Sequence, residues 1–112
     1  MKKDVAIFLQ DYFTMSAYDL ADKYSAMYAE YPTVEEIFAY IKANGLESKM
    51  IDDPNDTSKH PCLIADLERD RFQIFNHFRG LHVSETDFKT LDEAIIGKFD
   101  RLIGGIRGSR RW

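Results

Sequence analysis

The sequence predicts an α+β domain in which N-terminal helices are followed by a small three-stranded antiparallel sheet and a C-terminal helix. Two observations carry the prediction. Apolar residues recur every three or four positions up to residue 44 and again after residue 90, whereas between residues 62 and 83 they alternate with a period of two. A polar stretch rich in Asp, Pro and Ser separates the first helical region from the alternating one. At 112 residues the chain has the size of a single domain. It divides into a helical part over about 1–46, a loop over 47–61, a sheet-plus-helix part over 62–106 and a basic tail over 107–112.

Asp4 can cap a first helix with Val5, Phe8, Leu9, Tyr12 and Phe13 on one face. The run 5–9 alone would also suit a buried strand, but the spacing favours the helix. Ser16 with Asp19 resembles a capping box and opens a second helix, expected over 16–31, whose stripe is Ala17, Leu20, Ala21, Tyr24, Met27, Tyr28 and Tyr31. Pro32 ends it, and Thr33 with Glu36 restarts the chain as a helix over 33–44 carrying Val34, Ile37, Phe38 and Ile41, with Asn44-Gly45 as its stop. The segment 47–61 reads as a surface loop. Beyond it, Leu63, Ala65 and Leu67 mark one face of a strand, and Phe72, Ile74 and Phe78 mark one face of the next. Arg79-Gly80 turns the chain into a third strand, a geometry that pairs His77 with His82. Thr90 and Glu93 open the last helix, with Leu91, Ala94, Ile95, Phe99, Leu102 and Ile103 on its apolar side, and Gly104-Gly105 is expected to stop it and leave a frayed tail.

Hydrophobic residues at 45% and charged residues at 30% exclude wholesale disorder and fibrous repeats. No apolar run reaches the roughly 18–20 residues of a membrane span, and a single cysteine, Cys62, suits a reduced cytoplasmic setting. Charge is lopsided, with a net −7 over residues 1–68 and +3 over residues 69–112, and all six tyrosines fall in the acidic part.

Residues that could carry chemistry point away from catalysis. Asp52, Asp53, Asn55 and Asp56 cluster as calcium ligands do, but counting from Asp53 places Ser58 where the loop needs glycine and Ile64 where it needs glutamate. His60 and Cys62 flank Pro61 and do not form a nucleophile–base signature, and no glycine-rich phosphate loop is present. His77 and His82 make half of a metal site, which His60 and Cys62 do not complete at the spacing zinc requires. Neither a cofactor nor a metal is expected.

Two binding modes remain. Tyr24, Tyr28 and Tyr31, flanked by Asp19, Asp22 and Glu30, form either a core stripe or an acidic, tyrosine-rich contact surface. The expected function is that of a small non-enzymatic protein-binding domain, such as an inhibitor, an immunity-type protein or a regulatory accessory protein, using that surface and with self-association left open. The alternative is nucleic-acid binding through Arg69, Arg71, Arg79 and Lys89. The step Thr90-Leu91-Asp92-Glu93-Ala94 after three strands resembles the helix start in three-strand-plus-helix DNA-binding domains of the phage-integrase arm-binding type, though the dense Arg, Lys and Trp of those strands is lacking here. The helix beginning at Thr33 is a poor DNA reader because Glu35 and Glu36 occupy its first turn.

Overall fold

The computed structural model describes residues 4–26 and 30–109. Asp4 accepts hydrogen bonds from the backbone N–H groups of Ala6 and Ile7 at 2.8 and 3.2 Å, so its side chain satisfies donors that a helix start leaves open. The helix that follows, α1 (Val5–Thr14), buries Phe8, Leu9 and Tyr12. Ser16 starts α2 (Ala17–Tyr24) by accepting from the Asp19 N–H at 3.1 Å.

The expected helix over 16–31 is shorter than its stripe suggested, because α2 ends at Tyr24. Leu20 and Tyr24 are both buried, and just past them the Ser25 hydroxyl donates to the Asp22 carbonyl at 3.2 Å. Such local bonds compete with helix continuation. Residues 30–33 are non-helical, and Met27 and Tyr28 lie outside the described residues.

Thr33 and Glu36 form a reciprocal capping box at the start of α3 (Val34–Ala43), which buries Ile37 and Ile41. Gly45 then takes the left-handed conformation, φ +62°, that ends helices and favours glycine. The loop reading of 47–61 needs correction, since a 3₁₀ turn over Glu47–Met50 drives Met50 fully into the core. Asp52 then runs beside the first strand, donating its N–H to the Leu63 carbonyl at 2.7 Å and accepting from the Leu63 N–H at 2.9 Å.

Strands β1 (Cys62–Asp66), β2 (Arg71–Phe78) and β3 (Leu81–Phe88) form one antiparallel sheet in that order. Arg79 and Gly80 both have positive φ, +52° and +79°, the combination of a two-residue hairpin turn, and His77 pairs with His82 as expected. Leu67 lies in the β1–β2 turn with 89% exposure, so it does not extend the Leu63, Ala65 face. Ile74 pairs with Thr86 but Asn76 pairs with Val83, which leaves Phe75 opposite both Ser84 and Glu85 in a bulge with Ser84 at φ +57°.

The last helix, α4 (Leu91–Ser109), starts where Thr90 accepts from the Glu93 N–H at 3.2 Å. Gly104 and Gly105 do not stop it, and residues 107–109 of the expected tail are helical. The reason is Ile106, which is fully buried one step past the glycines. Burying an isoleucine contributes roughly 1.5–3 kcal/mol, enough to offset the roughly 1 kcal/mol that each helical glycine costs. The helix carries Ala94, Ile95, Phe99, Leu102 and Ile103 into a core shared with α1, α2, α3 and the Leu63, Ile74 side of the sheet. The result is a small α+β domain, and no described helix is long and apolar enough to cross a membrane.

Candidate functional site

Helix α2 sorts its side chains by the period of 3.6. Leu20 and Tyr24, four apart, point into the core, so Tyr18, Asp19 and Asp22 point out. Tyr18 is 82% exposed. The proposed tyrosine row is therefore divided. Tyr24 is a core residue whose ring packs 5.0 Å from that of Phe8 and whose hydroxyl donates to Asp11 at 2.5 Å. Tyr31 packs partly buried against the core, and Tyr28 lies outside the described residues. Asp19, Asp22 and Glu30 are exposed. Tyr18 was not part of the predicted stripe, although its position two residues before Leu20 places it on the far side of the same helix.

Beside Tyr18, a groove of about 370 Å³ opens between α2, α4 and β2. Ala17 and Ala21 on α2 and Leu102 and Ile106 on α4 give it apolar walls, while His60, Asn76 and Arg101 bring polar groups to it. The size falls within the range of ligand pockets. The Asn76 Oδ1 is buried without a hydrogen-bond partner. Arg101 is held from the sheet side, with Nη1 donating to the Ser84 carbonyl at 2.8 Å and Nη2 to the Thr86 hydroxyl at 2.6 Å.

A second polar centre lies inside the molecule. Lys98 sits on the apolar side of α4 and is fully buried; its ammonium donates to Asp52 Oδ2 at 2.6 Å and to the Met50 carbonyl at 2.9 Å. Burial holds this lysine below its ordinary range, against the pull of Asp52. Lys59 donates to the carbonyls of Tyr12 and Met15, and both ammonium groups lie within 5 Å of the Tyr12 ring centroid. The sequence offered a signal for Lys98, since position 98 continues the Leu91, Ala94, Ile95, Leu102 stripe. Buried and bonded in this way, Lys98 locks the 47–61 segment onto α4 through Met50 and Asp52. Cys62 is fully buried beside it, and burial pushes its thiol up to about 12, which keeps it protonated and a poor nucleophile at neutral pH.

His77 and His82 lie on the side of the sheet opposite Ile74, and His60, before β1, lies at the mouth of the groove. His82 stacks on Phe75 with ring centroids 3.8 Å apart, His77 lies 5.3 Å from His82, and His60 lies 6.0 Å from His77. Among the described residues no three His, Cys, Asp or Glu side chains form a group suited to a metal ion. Of the basic set, Arg69, Arg71 and Lys89 fall at one end of the sheet, where Phe72 pairs with Phe88, and Arg79 falls at the other. Arg69 bridges Asp66 at 2.7 Å and Asp87 at 3.1 Å, and its hydrogen bond holds the Asp66 carboxyl below the usual range. Arg71 opens β2 and Arg79 follows its far end, a separation of about 25 Å at strand rise. Arg79 stacks over the exposed ring of Phe78, and Lys89 follows β3. Comparison with family models, curated protein sequences and solved structures finds no match to this chain.

Proposed function

We propose that this chain is a small non-enzymatic protein-binding domain, of the inhibitor, immunity-type or regulatory accessory kind, that presents the outer face of α2 to a basic partner. The observation that carries the reading is Tyr18, an aromatic ring 82% exposed at the lip of an apolar groove, with Asp19 and Asp22 exposed beside it. Aromatic anchors of this kind concentrate binding energy, and the surrounding carboxylates would speed encounter with a positively charged surface. The anchor is thus Tyr18, outside the expected row of Tyr24, Tyr28 and Tyr31. A protonated, buried lone cysteine fits a reducing cytoplasm, where we place the protein.

A photo-crosslinking residue at position 18 identifies the partner, and calorimetry on the purified pair tests the face. Tyr18→Ala should weaken binding by at least about thirtyfold, as loss of about 2 kcal/mol implies. Asp19→Lys with Asp22→Lys should slow association, and Leu67→Ala should change nothing. Salt-sensitive binding to duplex DNA that is lost in Arg71→Ala with Arg79→Ala, and indifferent to Tyr18→Ala, would establish the nucleic-acid alternative instead.

A further inference from the structure

Lys23, Lys42, Arg69 and Lys98 each lie within 4.0 Å of a carboxylate. Arg101 does not; among the described residues its hydrogen-bond partners are the Ser84 carbonyl and the Thr86 hydroxyl, both neutral. Those bonds engage two of the five guanidinium N–H donors and fix the group without cancelling its charge. The bulge contributes to this placement. Ser84 adopts φ +57°, an uphill conformation for a residue with a Cβ, and its carbonyl is one of the two groups that hold Arg101.

Arg101 lines the groove described above together with Asn76, whose Oδ1 is buried and without a donor, and with the apolar side chains of Ala17, Ala21, Leu102 and Ile106. A single uncompensated guanidinium matches a single negative charge, an unpaired acceptor matches an N–H, and the walls match a hydrocarbon body. We propose that this groove is a binding site for a small apolar carboxylate that also carries an N–H donor, the chemistry of an N-acylated apolar amino acid. The carboxylate pairs with Arg101, the N–H donates to Asn76 once its side chain turns the covered Oδ1 toward the groove, and the ligand's apolar side chain lies between α2 and α4. A phosphate monoester fits less well, since Arg101 is the permanent cation of a lining that also includes His60, and Asp19 lies in the adjoining first turn of α2. The site stands without the protein-binding reading, because its ligand is a free small molecule.

N-acetylphenylalanine is the probe, its neutral carboxamide the charge control and 3-phenylpropionate the control lacking the N–H, each titrated into the full chain by calorimetry or amide chemical shifts. The acid should bind saturably, with the carboxamide and Arg101→Gln each weakening it by about tenfold or more and 3-phenylpropionate by about threefold or more. Gly105→Leu separates a filled groove from a damaged fold, since a Cβ at this groove-lining glycine meets no heavy atom within 4 Å. It should abolish binding while leaving the thermal midpoint unchanged or higher. Equal binding of acid and carboxamide, no saturation by the acid below about 10 mM, or retention of binding in Gly105→Leu would overturn the site. Tighter binding of phenyl phosphate, or of a longer peptide ending in phenylalanine, would overturn the assigned ligand class.

Discussion

Lys98 Nζ lies 2.6 Å from Asp52 Oδ2, joining residues forty-six apart in the chain beneath a segment whose composition resembles a solvated loop. Removing one partner of a buried ion pair leaves a charge without compensation, and Asp52→Asn should cost about 3–5 kcal/mol in urea unfolding. The double variant Asp52→Asn, Lys98→Met should be more stable than Asp52→Asn alone. The single-variant deficit should also shrink as pH rises toward the ordinary lysine range, because a desolvated lysine without its carboxylate folds more readily as the neutral amine. A deficit that is the same at pH 7 and pH 10 would contradict the buried pairing.

Cys62 supplies a second pH test with the opposite sign. Its folded thiol titrates near 12 against 9.0 for the unconstrained group, so the folded state favours the protonated form. The stability linked to this preference is complete below pH 9 and is lost as pH rises through about 12. The stability difference between the wild type and Cys62→Ala should therefore narrow between pH 9 and pH 11. In the folded protein at pH 8 the thiol should resist iodoacetamide, and it should react once urea unfolds the chain.

Two glycines of α4 should respond in opposite directions to alanine. Gly104→Ala adds a Cβ that meets nothing within 4 Å and removes helical backbone entropy, and is expected to stabilise the protein by about 0.5–1 kcal/mol. Gly97→Ala would place a Cβ 2.5 Å from the Phe88 ring and should destabilise it, with Phe88→Leu restoring part of the loss. Thermal melts of the three variants separate helix propensity from sheet contact.

On α2, Leu20→Ala should cost about 2–5 kcal/mol, since Leu20 is a fully buried core side chain. Tyr24→Phe should cost about 1 kcal/mol by deleting the bond to Asp11, which keeps its ion pair with Lys23. Tyr18→Ala should melt with the wild type. Equal losses at Tyr18 and Leu20 would mean that the helix presents a different face.

The periodic parts of the chain are legible because each α-helix carries both a cap and a stripe and the strands alternate. Asp4, Ser16, Thr33 and Thr90 mark helix starts that the hydrogen bonds confirm, and Arg79-Gly80 fixed the His77–His82 register. The failures occurred where tertiary burial overrides local preference. Ile106 carries α4 through two glycines, and Met50 and Asp52 draw a loop-like segment against the core. The groove was hidden for a related reason: Ala17 and Ala21, Asn76, and Arg101 belong to three distant stretches that meet only in the folded chain. Tyr18 is legible from a helical wheel of α2, as Ala17 and Ala21 are on its stripe, but their meeting with Asn76 and Arg101 is not.

Helix α4 contacts α2, α3, all three strands and the 3₁₀ turn, and its Phe99 meets Tyr12 of α1 at 5.3 Å between ring centroids. Every other described element therefore completes its packing against the one that follows them all in chain order. At synthesis rates of roughly 5–20 residues per second, the nascent chain spends seconds with Phe8, Leu20, Ile37, Leu63 and Ile74 lacking their final cover. A stop codon anywhere before residue 91 would leave a product with these apolar faces open to degradation.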